Sequence, residues 1–379
     1  MLNNLLSGDF PRSRILSVIL VAIVVGLTVL PFVVNGVRPL NTAATICIFI
    51  LLVASYDLVL GYTGIVSFAH GMFYAIGAYG IAISLNALGS GWGAVLIGLV
   101  AGLAVSVILA LAIGAFALRV QAIYYTMITL AVASAFSVMV IKLSGITGGE
   151  DGHGFEVPEV LSPGFRLVEE EVLGAVINGR LITYYLILLT VIALFLVMLR
   201  IVNSPFGRVI QALRENQFRA EAIGYRVMFY RTLANCIAAA IATCSGALMA
   251  LWLHHVGPQT TVSFAIMMNI LLMSVIGGMG TLYGAVVGAT LFVVAENYLQ
   301  IGMKQVSSSL EGIPVLENLF HPDRWMLWLG VLFVLSVYFF PTGIVGKLRE
   351  RRAATNEKAK VAEQVVRTET SSSSSLPAA

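Results

Sequence analysis

Ten stretches of this sequence, residues 15–34, 40–60, 64–87, 92–117, 122–142, 181–201, 232–252, 262–279, 284–301 and 325–345, are long and apolar enough to cross a bilayer. About 20 apolar residues in a helix cover a hydrocarbon core roughly 30 Å thick. Within that core every backbone N–H and C=O must find a partner in the protein, so only helices and closed barrels span it. The runs lack the short apolar–polar alternation of barrel strands. The expectation is an all-α polytopic membrane protein with about ten transmembrane helices, of which the third and eighth are the least regular. Composition agrees: 59% of the 379 residues are hydrophobic and 11% charged, against about 25% charged in soluble domains.

The charges are placed as topology demands. Arg12 and Arg14 precede the first run, Arg119 lies between the fourth and fifth, and Arg200, Arg208, Arg214, Arg219, Arg226 and Arg231 cluster around the segment after the sixth. Lys347, Arg349, Arg351 and Arg352 follow the tenth. With ten spans all of these fall on one side, which the positive-inside rule makes the cytoplasm. The loop 144–180 falls on the other. It carries Glu150, Asp151, Glu156, Glu159, Glu169, Glu170 and Glu171 against only Arg166 and Arg180. The expected layout is a cytoplasmic N-terminus over 1–14, a transmembrane domain over 15–345 and a cytoplasmic tail over 346–379. The tail ends in TETSSSSSLPAA, polar low-complexity sequence that cannot bury enough surface to order itself. The first run is too long for a signal-peptide core and no A-x-A site follows, so an uncleaved span is expected. The net charge of +3 gives no support to nucleic-acid binding. The three cysteines, all in apolar runs without metal-type spacing, read as small apolar side chains.

Two segments break the apolar monotony. The first is GYTGIVSFAHGMFYAIGAY, residues 61–79, with four glycines, Thr63, Ser67, His70 and three tyrosines. Gly61, Gly64, Gly71 and Gly77 let helix backbones approach closely. They also make a helix break easy, and broken membrane helices occur where backbone is buried or lines an aqueous cavity. Gly61, Gly64, Ser67, His70, Gly71 and Tyr74 are therefore expected at a translocation pathway or at tight helix packing around it. The second segment, NSPFGRVIQALRENQFRAEAIGYRVMFYR over 203–231, reads as an amphipathic cytoplasmic helix. Ser204 caps it, Pro205 takes its first position, Gly224 ends it, and Phe206, Val209, Ile210, Leu213 and Ala220 form its apolar face. Such a helix lies on anionic lipid or docks in a partner's groove.

Together these segments resemble a known family. Glu221-Ala222-Ile223-Gly224 is similar to the EAA motif of ABC-importer permeases, and SPFGRVIQALRENQFRAEAIG resembles the cytoplasmic loop of the LivM branch of branched-chain amino acid permeases. GYTGIVSFAHGMFYAIGAY resembles that family's third-span signature, TGGEDG over 147–152 its external loop, and IGGMGTLYGAVVGA over 276–289 its late glycine-rich turn. The four matches occur in the family's order across residues 40–345. The resemblance implies an inner-membrane importer of branched-chain or related hydrophobic amino acids. Its parts are a periplasmic binding protein, two permease chains (LivH-like and LivM-like) and two ATPase subunits that bind ATP and Mg. It further implies that 202–231 is the coupling loop, with Arg214, Glu215, Glu221, Ala222 and Gly224 at the contact with the ATPase.

No cofactor is expected in the chain itself. Gly343-Ile344-Val345-Gly346-Lys347 has the wrong spacing for a Walker A loop, and Leu348 stands where Ser or Thr is needed. Glu150, Asp151 and His153 read as solvated loop residues rather than a metal site. Asp57 departs from the family, which more often has Asn there; it is expected either to be harmless near a membrane face or to have a partner in the bundle. Glu296 inside the ninth run poses the same question. Three rival readings stay open: the same architecture carrying urea, short amides or a wider amino acid range, a stand-alone secondary transporter, and a purely structural or receptor-like membrane protein.

Overall fold

A computed structural model describes residues 14–33, 36–117, 122–166, 178–309, 321, 324–340 and 342–347. Most of the N-terminal segment, residues 167–177 of the acidic loop, and the tail from 348 lie outside these.

Twelve helices of six residues or more carry the fold among the described residues. They are α1 (Arg14–Val33), α2 (Val37–Thr63), α3 (His70–Leu88), α4 (Trp92–Ala117), α5 (Ala122–Lys142), α6 (Gly179–Val202), α7 (Pro205–Glu215), α8 (Gln217–Ala222), α9 (Val227–Leu253), α10 (Phe264–Gly277), α11 (Leu282–Ser309) and α12 (Trp325–Phe339). Ten segments are long and apolar enough to cross a membrane, the eighth only when the turn Pro258–Thr261 is counted with α10. Each coincides with one of the ten runs read from the sequence.

Helices α2 and α9 are buried along most of their length and form the centre. α9 packs against α3, α2 and α4, while α11 packs on α2 and α10. Small residues permit this closeness. A Cβ on Gly77 of α3 would lie 1.9 Å from the Thr243 carbonyl oxygen of α9, and one on Gly246 would lie 1.8 Å from the Tyr74 carbonyl oxygen. Each backbone fills the space a side chain would need, so α3 and α9 touch through reciprocal glycines. Hydroxyl and amide side chains add cross-helix bonds: Ser245 Oγ donates to the Ile48 carbonyl at 3.0 Å and Asn235 Nδ2 to the Ala110 carbonyl at 3.2 Å. The outer helices α1, α4, α5 and α12 turn apolar side chains outward, among them Val18, Leu96, Ile108, Ile123 and Val334. Such a perimeter suits lipid, not water.

The two ends of the bundle differ. At one end Phe155, Val157 and Leu161 of the acidic loop pack with Leu85, Val140, Leu251 and Val256. A two-residue antiparallel ladder pairs His153 with Val256 and Gly154 with His255. At the other end Val209, Leu213 and Ala220 of α7 and α8 pack with Val227, the first residue of α9.

Candidate functional site

The glycine-rich segment holds a real break. The third run was read as helical from residue 64, but α2 continues to Thr63, residues 64–69 are not helical, and α3 starts at His70. Gly64 ends α2 in the left-handed region, φ 74°, with its N–H on the Val59 carbonyl. Any other residue there is strained. Side chains satisfy the backbone freed by the break. Phe68 N–H donates to Thr129 Oγ1 at 3.1 Å, Ala69 N–H to Ser67 Oγ at 3.3 Å, and Thr126 Oγ1 to the Val66 carbonyl at 3.1 Å. The break is thus tied to α5.

His70 is buried at the first turn of α3. Its Nε2 lies 2.8 Å from Ser55 Oγ on α2, and its ring packs on Tyr56 with centroids 5.3 Å apart. Ser67 and Tyr74 are buried as well. Gly71 faces Met267 of α10, where an added Cβ would make ordinary contact at 3.6 Å. Gly61, Ser67, His70, Gly71 and Tyr74 therefore sit inside packed protein, and Gly64 is exposed at the end of α2.

The loop after α6 is cut in two where one helix was expected. Ser204 does cap α7, accepting from Gly207 N–H at 3.3 Å, and Pro205 occupies its first turn. Asn216 then leaves helical geometry at φ −156° and ψ 99°, and its Oδ1 accepts from Arg219 N–H at 3.0 Å to start α8. Asparagine is among the preferred N-caps, so the break has a local cause. Gly224 follows α8 at φ 92°. Ile210, Leu213 and Ala220 are buried and Phe206 stacks on Tyr230 at 5.9 Å, so the apolar face is seated on the bundle. Glu215, Glu221, Ala222 and Gly224 are exposed, and Gln217 Nε2 donates to Glu221 Oε1 at 2.9 Å. Phe218 and Ile223 are 83% and 70% exposed. The sequence names Ile223 only within the EAA-like string and does not single out Phe218, because exposure of an apolar residue is decided by packing.

Arg214 departs from its neighbours. Its Nη1 donates to the Gly61 carbonyl at the end of α2. Beside it, buried Asp57 accepts from Gly280 N–H through both oxygens, at 2.9 and 3.1 Å, and from Ser274 Oγ at 3.4 Å. Gly61 must lack a side chain: a Cβ there would fall 2.1 Å from Asp57 Oδ1 and 2.3 Å from Gly280 N. One cluster therefore joins the 61–79 segment, the loop helix α7 and the 276–289 turn. Asp57 has the partner inside the bundle that the sequence could only ask about. Glu296 is half-buried in α11.

At the opposite end, Glu150, Asp151, Glu156 and Glu159 are exposed. Thr147 Oγ1 donates to the Leu143 carbonyl at 2.9 Å, and His255 Nε2 lies 3.1 Å from the Asp151 carbonyl. His254, just past α9, has its proton affinity lowered by burial and by nearby Arg180. Arg180 itself lies over Trp252 and donates to Asn41 Oδ1 at 3.0 Å. Among the described residues no group of three or more His, Cys, Asp or Glu is arranged to hold a metal.

Comparison with known proteins fits this arrangement. Residues 38–337 match the family described as "Branched-chain amino acid transport system / permease component". The high-affinity branched-chain amino acid transport system permease protein LivM of Salmonella typhimurium is 28% identical over 317 residues, covering 80% of this chain and 73% of that protein. LivM of Escherichia coli is 28% identical over 319 residues, with the same coverage. The permease protein LivH of Escherichia coli is 24% identical over 327 residues, covering 83% of this chain and 94% of LivH. No solved structure matches the chain. With ten candidate membrane spans and a match running from residue 38 to 337, the chain belongs to the permease components of branched-chain amino acid transport systems and is of the LivM type.

Proposed function

We propose that this chain is one permease subunit of an ATP-binding-cassette importer in the bacterial inner membrane, with both termini in the cytoplasm. It pairs with a LivH-like permease. A periplasmic binding protein delivers branched-chain or related hydrophobic amino acids to the acidic end, and two ATPase subunits, which bind ATP and Mg, grip the loop over 202–231. The chain supplies the path; hydrolysis belongs to the partner.

The observation that carries this reading is the construction of that loop. α7 and α8 bury one face on the bundle and present Phe218, Ile223, Glu215 and Glu221 outward. A partner that moves this knob moves Arg214, and through it the Gly61 end of α2. A displacement there changes the packing around the break at 64–69, which is how a motion outside the membrane switches a path within it.

Uptake of labelled leucine in cells with and without this gene tests the reading, with unlabelled isoleucine, glutamate and urea as competitors. Loss of uptake on deletion, with isoleucine alone competing, is the expected result. Unchanged leucine uptake with loss of another solute would move the substrate elsewhere. For the loop, Glu221→Arg is expected to reduce co-purification of the ATPase. ATPase recovery equal to that of the natural chain would remove Glu221 from the contact.

A further inference from the structure

A cavity of about 240 Å³ lies where two helices begin inside the bundle. One wall comes from Phe68 and Gly71 at the break before α3, a second from Ser263 and Phe264 at the start of α10, and α5 closes the third with Ser134 and Ser137. Its depth follows from helix geometry. α10 has 14 residues, about 21 Å at 1.5 Å per residue. It ends at the turn beside Asp57, so it starts well short of the far face of a core about 30 Å thick. On α5, Ser134 and Ser137 lie roughly 18–22 Å along from Ala122. The cavity is within the membrane.

Its lining has two characters. Phe68 and Phe264 face each other with ring centroids 6.1 Å apart, and Met72 and Met267 extend the apolar surface. Ser134, Ser137 and Ser263 contribute hydroxyls, and no charged side chain is among the lining residues. The N-terminal turns of α3 and α10 border it, and helix N-termini favour a carboxylate. A solute carrying net charge meets no counter-charge here, whereas a zwitterion brings its own. The volume is below the roughly 300–1,000 Å³ of pockets for drug-sized ligands, which suits a single small amino acid. Phe264 is 55% exposed, so the cavity opens on the flank of the chain.

We propose that this cavity is a transit site for one zwitterionic amino acid with an aliphatic side chain. The hydroxyls of Ser134, Ser137 and Ser263 take its polar end, and Phe68, Phe264, Met72 and Met267 take its side chain. The proposal rests on the importer reading above and adds where, and by which groups, the solute is held on its way. Binding by neutral hydroxyls is weak, as passage requires: a solute must be held well enough to enter and loosely enough to leave.

The test uses the complete importer (both permeases, the ATPases and the binding protein) in proteoliposomes. ATP-driven uptake of labelled leucine and valine is compared for the natural chain, Ser137→Phe, and the double variant Ser137→Ala with Ser263→Ala. Ser137→Phe adds bulk at the polar end of a small cavity and pushes the solute toward Phe264 and Met267, leaving less room for the longer side chain, so the leucine-to-valine uptake ratio is expected to drop by about tenfold, the scale of one methylene in an apolar pocket. The double variant adds no bulk, and its uptake of both solutes is expected to fall by about three- to tenfold from the lost hydroxyl contacts, with subunits co-purifying in natural ratio. If Ser137→Phe fails to assemble, the double variant decides. Natural rates and an unchanged ratio overturn the transit site while leaving the importer reading intact, and would assign the cavity to a lipid chain. If the natural complex moves no amino acid, the importer reading falls and takes the transit site with it.

Discussion

At the scale of single residues, Asp57 shows how a costly group is kept in a membrane protein. A buried carboxylate is tolerated when its oxygens are occupied, and here they accept from Gly280 N–H and Ser274 Oγ, with room made by Gly61. The same contacts satisfy the half-buried backbone N–H of Gly280 in the turn before α11 and the hydroxyl of buried Ser274. Asp57→Asn keeps an acceptor oxygen and should leave uptake within about twofold of natural, a change well under the worth of a hydrogen bond. Asp57→Leu removes every acceptor and should cost about 1–3 kcal/mol, the usual penalty for a buried donor left unsatisfied. Thermal unfolding of the purified chain in detergent, set beside leucine uptake, checks both. Equal melting of the two variants would dissociate Asp57 from the turn.

At the scale of elements, the break at 64–69 is the feature most suited to movement. It links two helices, its backbone is held largely by threonine and serine hydroxyls, and it adjoins the Arg214 contact. Gly64→Leu forces a branched side chain into the left-handed region, a strain of about 1–2 kcal/mol. Its Cβ would also press on Arg214 Cγ at 3.1 Å. The expected outcome is protein still present in the membrane with uptake lost; natural uptake would mean that this hinge is not part of the transport cycle. Much of this element was legible. Gly61, Gly64, Ser67 and His70 stood out because glycine and polar side chains are rare company in an apolar run. That the helix stops at 63 and resumes at 70 was not, since the same glycines serve close packing at Gly77 and Gly246. The Asn216 division of α7 from α8 had a local signal, an N-cap residue in mid-helix, which the continuous apolar face masked.

At the scale of the whole molecule, the two ends of the bundle are chemically distinct. Glu150 lies in the loop that packs on the end of α9, and Glu215 lies in the loop seated at its start. In sealed, oriented membranes Glu150→Cys should react with an impermeant maleimide from outside, and Glu215→Cys only after permeabilisation. The native Cys47 and Cys236 are buried and Cys244 half-buried, so the new thiols dominate labelling. Labelling of both from one side would overturn the ten-span topology.

What the sequence determined by itself is what each segment settles against its solvent. Apolar length selects a membrane span, and an amphipathic period in a polar loop selects a seated helix; clustered arginines give the expected side, which the labelling above tests. These choices are local because hydropathy and charge act on a stretch of chain wherever it lies. Only the tertiary structure decided the rest: that Asp57 meets Gly280, that Arg214 reaches Gly61, that Gly77 and Gly246 lie against the facing backbones, and that α3 and α10 begin around one cavity. Those contacts join residues far apart in the chain. In an apolar bundle many helix pairings bury similar surface, and steric fit with a few hydrogen bonds, not hydropathy, chooses among them.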